Sequence, residues 1–133
     1  MKTIRVVAAV IKAKNEQNKP IIFATQRGYG DYKDGWEFPG GKYEEGETGE
    51  QAIKREISEE FDVEIDVKKY LCTVEHQYDF HLVMDCFICT LKSEEMILHD
   101  HSAIRWIDPT EENIDWCPAD RKVIRNYIAL DKG

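Results

Sequence analysis

Three glutamates, Glu56, Glu59 and Glu60, stand at i, i+3 and i+4 in a stretch from residue 50 to 61 that contains no proline or glycine. At 3.6 residues per turn they share one helix face about 100° wide. Like charges at i, i+4 cost a helix roughly 0.2–0.5 kcal/mol per pair. Such a face is therefore either well solvated or built to hold cations. Oxygen donors alone suit Mg²⁺ or Mn²⁺. Glu44, Glu45, Glu47 and Glu50 add negative charge just upstream. On residue type alone, a solvated face with an internal pair such as Arg55 with Glu59 is the favoured reading.

The sequence around the helix separates the two. Residues 41–47 read GKYEEGE, seven residues follow, and residues 55–63 read REISEEFDV. This closely resembles the Nudix box, which runs G, five residues, E, seven residues, REUXEEXGU, with U apolar. Each specified position matches except Asp62, where the family has glycine. That position closes the helix, where a left-handed residue is common. Asp adopts this conformation more readily than most non-glycine residues. The departure removes no metal ligand.

The resemblance implies a divalent cation, Mg²⁺ or alternatively Mn²⁺, held by the box glutamates against a diphosphate. By position, Glu56 and Glu60 are the leading ligands and Glu59 a third or water-mediated one. The carbonyl of Gly40 is a further ligand candidate. Arg55 joins the catalytic set as the residue that orients these glutamates, and Glu47 ties the loop to the helix. The general base is left between Glu56 and Asp100, which lies in His99-Asp100-His101. The two histidines read as surface loop.

Residues 36–42, WEFPGGK, together with residues 7–9, Gln26-Arg27 and residues 117–120, CPAD, resemble the MutT-like branch of the family. That branch hydrolyses nucleoside triphosphates to monophosphate and pyrophosphate. It includes enzymes for oxidised purines such as 8-oxo-dGTP and enzymes for CTP-like pyrimidines. The resemblance assigns Arg27 to phosphate, Phe38 to base or sugar and Asp120 to the base edge, with Glu37 and Lys42 also on the substrate-binding side. Phe38 reads equally well as core, and Asp120 as a helix cap. Two alternatives stay open. Tyr78 would suit a dinucleoside-polyphosphate hydrolase. A non-catalytic nucleotide-binding module is the other, although such modules usually lose box glutamates.

The elements that must position these residues follow from periodicity and turn chemistry. Residues 4–14 and 21–26 read as a hairpin around the polar stretch 15–20, residues 28–35 as a loop, and residues 36–38 as a short strand stopped by Pro39-Gly40-Gly41. Thr48 and Gln51 form a capping box before the carboxylate helix. Ile53, Ile57 and Phe61 give that helix one apolar stripe. Residues 63–78 and 81–91 form a long hairpin, residues 103–107 a strand and residues 118–130 a closing helix. Val123, Ile124, Tyr127, Ile128 and Leu130 supply the buried face of this helix. The order implies a single α/β domain over residues 1–133: an α/β/α sandwich with a mixed β-sheet.

Composition sets the outer limits. The chain has 133 residues, 42% of them hydrophobic and 33% charged, with net charge -8. That balance argues against a nucleic-acid polymer or an anionic membrane as partner. It admits a small nucleotide, since bound cations reverse the local sign. No run of 18 apolar residues spans a membrane. No signal peptide is evident, and the cysteines read as free thiols in a reducing cytoplasm. Cys86 and Cys89 would point to opposite faces of one strand. The expected oligomeric state is monomer or homodimer.

Overall fold

A computed structural model describes residues 2–93 and 104–132, with the side chains of 131 and 132 left aside. Along the chain run β1 (Thr3–Lys14), β2 (Pro20–Gln26), β3 (Trp36–Glu37), β4 (Gly40–Lys42), α1 (Gly49–Phe61), β5 (Ile65–Gln77), β6 (His81–Leu91), β7 (Ile104–Ile107) and α2 (Pro118–Lys132). The sheet order is β3-β2-β1-β6-β5, with β4 also on β1 and β7 also on β2. β1 and β6 are parallel from Thr3↔His81 to Ile11↔Cys89, while the other strand pairs are antiparallel. The sheet is mixed, as expected.

The centre of β1 is apolar without interruption because both of its faces are covered. Val7, Ala9 and Ile11 point to one side, where they meet Ala52, Ile53, Ile57 and Phe61 of α1. Ala8 and Val10 point to the other, with Val123 and Ile124 of α2. A sheet between two helices is the α/β/α sandwich. Cys86 and Cys89 fall in the two different cores, so they face apart, and all four cysteines are free thiols.

The carboxylate helix is anchored as its sequence implies. Thr48 accepts from the Gln51 N–H at 3.2 Å, and the Gln51 side chain accepts from the Thr48 N–H at 2.9 Å. Asp62 closes the helix at φ 55°, ψ 40°, its N–H donating to Ser58. Phe61 stands edge-on to Phe23 at 5.3 Å, where T-shaped contact is favourable.

Two expectations need correction. Residues 39–41 do not end the strand path: Gly40–Lys42 forms β4, paired with β1 at Val6↔Lys42 and Ala8↔Gly40. Glycine there is a device for close approach, because a Cβ on Gly40 would collide with the Val7 carbonyl. Leu130 is 43% exposed, whereas Val123 and Ile124 are buried. The apolar face of α2 therefore fades toward its C-terminal end.

Candidate active site

Arg55 is the hub of the loop and helix that carry the carboxylates. Its Nε donates to Glu47 at 2.7 Å, and one terminal nitrogen donates to Glu56 at 2.9 Å and Glu59 at 3.3 Å. The other terminal nitrogen donates to the Lys42 carbonyl at 2.9 Å and again to Glu47 at 2.9 Å. A planar guanidinium is suited to such a fork of bonds. The cluster of carboxylates keeps Arg55 protonated at every working pH. Reciprocally, Arg55 and the Glu44 N–H hold the Glu47 carboxyl below its ordinary range. Arg55 thus touches Glu56 and Glu59 on the helix and Glu47 in the loop before it.

The three glutamates are not equivalent. Glu56 packs its carboxylate against Gly41, where a Cβ would overlap it. Glu60 reaches the cleft that Gly40 and Gly41 also line. Glu59 points outward, its side chain 61% exposed. Helix α1 thus turns Glu56 and Glu60, one turn apart, toward the β4 glycines. All of these donors are oxygens, and the glycine cradle that admits the Glu56 carboxylate fits a hard divalent cation.

The cleft has a volume of about 320 Å³. Among its walls are seven of the anticipated residues: Arg27, Glu37, Phe38, Gly40, Lys42, Glu60 and Asp120. Glu56, Glu59 and Arg55 do not line it. Asp100 lies outside the described residues. Sequence reasoning gave no role to Met84, Leu82 and Phe80, which complete the apolar wall. The alternation of Leu82 and Met84 along β6 toward the α2 face was the available signal, with Phe80 just before that strand.

The second side of the cleft is buried. Phe38 is 5% exposed and stacks on Trp116 at 4.7 Å with the rings 17° apart. It is thus both core and cleft wall. The Phe38 N–H donates to the Asp120 carboxylate at 2.9 Å. Burial pushes the Asp120 carboxyl from its ordinary 3.8 up to about 7, although the Phe38 N–H opposes the shift. Arg27 pairs with Glu37 at 3.2 Å beside it. The Tyr78 hydroxyl accepts from the Ala119 N–H at 3.1 Å, fixing the start of α2. Ligand atoms of Glu37, Cys117 and Asp120 lie within 4.8 Å of one another. There Arg27 already supplies the counter-charge, and burial lifts the Cys117 thiol to about 12, so the trio suits a neutral polar contact better than a cation.

The NUDIX domain family model matches residues 3–127. A CTP pyrophosphohydrolase of Escherichia coli is 32% identical over 98% of this chain and 95% of its own length. An 8-oxo-dGTP diphosphatase of Proteus vulgaris is 36% identical over 71% of this chain and 83% of its own. Among solved structures, the solution structure of the E. coli ORF135 protein superposes with a TM-score of 0.78 at 29% identity. It covers 98% of this chain and 92% of that one.

Proposed function

The chain belongs to the Nudix family and is a Nudix hydrolase, and from that premise we propose that it hydrolyses a nucleoside triphosphate to the monophosphate and pyrophosphate. The proposed substrates are a CTP-like pyrimidine nucleotide or an oxidised purine such as 8-oxo-dGTP. One observation carries this reading. A single cleft has Gly40, Gly41, Lys42 and Glu60 on one side and Glu37, Phe38 and Asp120 on the other. The first set suits a phosphate chain, the second a base. The named activities of the two relatives support the same pair of substrates.

Nudix hydrolases generally use divalent cations, and Mg²⁺, with Mn²⁺ as substitute, is the proposed one here. Glu56, Glu60, Glu59 and the Gly40 carbonyl would hold it. When bound, it neutralises phosphate oxygens and lowers the pKa of the attacking water. Arg55 fixes the carboxylates through the bonds described above. Lys42 adds positive charge where phosphate would lie. Of the two base candidates, Glu56 is held by Arg55 beside Gly41, and we favour it.

At the base side, a carboxyl that titrates near pH 7 serves two chemistries. Ionised, Asp120 accepts from an exocyclic amino group such as that of cytosine. Protonated, it donates to a keto oxygen. One face of Phe38 is already stacked on Trp116, so we assign Phe38 an edge contact with the base. The proposed partner is the small nucleotide, with no nucleic-acid polymer, and the protein acts as monomer or homodimer.

Tyr78 favours the second reading, a dinucleoside polyphosphate. Beside the cleft lies a smaller hollow of about 200 Å³ lined by Arg27, Asp31, Tyr32, Tyr78, Asp79 and Phe80. It offers aromatic walls to a second base. The test is product analysis by anion exchange and ³¹P NMR with Mg²⁺, using CTP, dCTP, dGTP, 8-oxo-dGTP and diadenosine tetraphosphate. Monophosphate and pyrophosphate from CTP or 8-oxo-dGTP, lost with EDTA, are expected. Cleavage of the dinucleotide alone would replace this reading with the second.

A further inference from the structure

Asp85 is 9% exposed in the middle of β6 and takes no part in the chemistry just described. Its position in the strand alternates with Cys86 and agrees with Phe87 and Cys89, so it faces the α1 side of the sheet. A buried carboxylate persists only where its oxygens are well bonded. One oxygen accepts from the Tyr43 hydroxyl at 2.5 Å and from Arg5 at 3.1 Å. The other accepts from Thr73 at 2.7 Å, and the Thr73 hydroxyl is itself 2.6 Å from that of Tyr70.

Two of these partners, Arg5 on β1 and Thr73 on β5, belong to strands already paired with β6. Tyr43 does not. It is the first residue beyond β4, in the loop that leads into α1. Its hydroxyl also stands beside Gly49, the first residue of that helix, where a Cβ would come within 3.1 Å of it. The backbone on both sides of Tyr43 is committed to the acidic site. The Lys42 carbonyl accepts from Arg55. Gly41 receives the Glu56 carboxylate. The Glu44 N–H donates to Glu47 at 2.7 Å. The pairing of β4 with β1 already holds Gly41 and Lys42 on the sheet, and the Tyr43 side chain ties the first residue beyond that ladder to Asp85 on β6.

We propose that Asp85 is a positioning residue for the cation-binding carboxylates, acting through Tyr43. The bond between them extends the β4–β1 ladder by one residue and so fixes where the loop departs, between the Lys42 carbonyl and the Glu47 carboxylate that Arg55 holds together. This rests on the cation site of the proposed function, although not on the identity of the nucleotide. The strength of the Tyr43–Asp85 link agrees with the ionisation of both groups. The carboxyl is held below its ordinary value against the cost of burial, by Tyr43, Thr73 and Arg5. Burial and the Asp85 bond hold the Tyr43 phenol up at about 12. Both groups therefore keep one protonation state across the assay range.

The test compares two single-group deletions around the same carboxylate. Tyr43→Phe removes the hydroxyl that reaches the loop and keeps the ring. Thr73→Val removes another of Asp85's donors and leaves the loop untouched. Each protein is measured for Mn²⁺ binding by calorimetry without nucleotide, for Mg²⁺ half-activation, for kcat and KM, and for melting temperature. Tyr43→Phe should weaken Mn²⁺ binding and raise the Mg²⁺ requirement by about 10-fold, the scale of losing a group that orients a metal ligand. Its kcat should fall with little change in nucleotide KM. Thr73→Val should lower the melting temperature comparably and leave Mn²⁺ binding within about twofold. Asp85→Asn should follow Tyr43→Phe if it folds. Equal Mn²⁺ affinities in Tyr43→Phe and Thr73→Val would overturn the proposal, because Asp85 would then only brace the sheet. Since Mn²⁺ binding is read without nucleotide, failure to find a triphosphate substrate would count against the substrate reading alone.

Discussion

The two sides of the cleft solve opposite problems with opposite materials. The α1 side concentrates negative charge within residues 41–60 and leaves much of it near solvent, cross-linked through Arg55. The α2 side holds a carboxylate that is 7% exposed, bonded to a backbone N–H 82 residues away in sequence. The first arrangement suits a polyanion that arrives with cations. The second suits a neutral, planar group whose few polar atoms must be matched one by one. Charge placed near water costs little and is screened by it, whereas charge placed in the core is costly and strongly felt by its neighbours.

If the sides are separable in this way, the largest effect belongs to the α1 side and spares nothing. Glu60→Gln keeps the volume of the side chain and removes its charge. Turnover of each substrate should fall by at least ~100-fold, as for loss of one electrostatic catalytic group. The melting temperature should hold or rise, because repulsion between Glu56 and Glu60 is relieved. Steady-state pyrophosphate release and thermal melts decide this. Near-normal turnover would move the cation away from α1.

The next effect belongs to the α2 side and discriminates. With the Asp120 carboxyl near 7, the ratio of kcat/KM for CTP over that for 8-oxo-dGTP should rise between pH 6 and pH 8, as the group changes from donor to acceptor. Asp120→Asn cannot titrate, so its ratio should be flat, displaced by roughly 1–3 kcal/mol for a buried polar mismatch. Stability carries the same signature. The folded-state value lies above the ordinary 3.8. The favourable contribution is therefore complete below about pH 4 and is lost as pH rises through 7. Asp120→Asn should melt above the parent at pH 8 and lose that advantage by pH 4. A constant offset between the two proteins would mean that Asp120 does not titrate there.

The smallest effect lies outside both sides and checks that the helix carrying the carboxylates is merely held. Asp62→Gly replaces a left-handed residue at φ 55° with one that pays no Cβ penalty. It should stabilise the protein by roughly 1 kcal/mol, with activity nearly unchanged. A lower melting temperature would show that the Asp62 side chain contributes more than its backbone costs.

The same contrast explains what could be read in advance. Thr48, Gln51, the stripe Ile53, Ile57 and Phe61, and the left-handed Asp62 were legible because each interaction closes within a few residues. The continuous apolar stretch in β1 was legible as strand, and its alternate placement in two cores gave the sandwich. β4 was not legible, because Pro39-Gly40-Gly41 is stop chemistry by propensity. Only the Val7 carbonyl, brought alongside by β1, shows why glycine stands at residue 40. Asp85 carried no local signal, since its bond to Tyr43 spans 42 residues. Asp120 was noticed through family resemblance and looked like an exposed helix cap. Its burial depends on residues 36–38 arriving from elsewhere, with the Phe38 N–H bonded to it. Asp100, the other base candidate, lies outside the described residues.

The central claim is that one side of the cleft supplies rate and the other supplies choice of base. The most direct measurement is kcat/KM for CTP, dCTP, dGTP and 8-oxo-dGTP in the parent, Glu60→Gln, Asp120→Asn and the double variant. Glu60→Gln should lower all four by a common factor and preserve their ranking. Asp120→Asn should reorder them at unchanged Mg²⁺ requirement, and the double variant should show the product of the two effects. A reordering by Glu60→Gln, or a uniform loss by Asp120→Asn, would contradict the division.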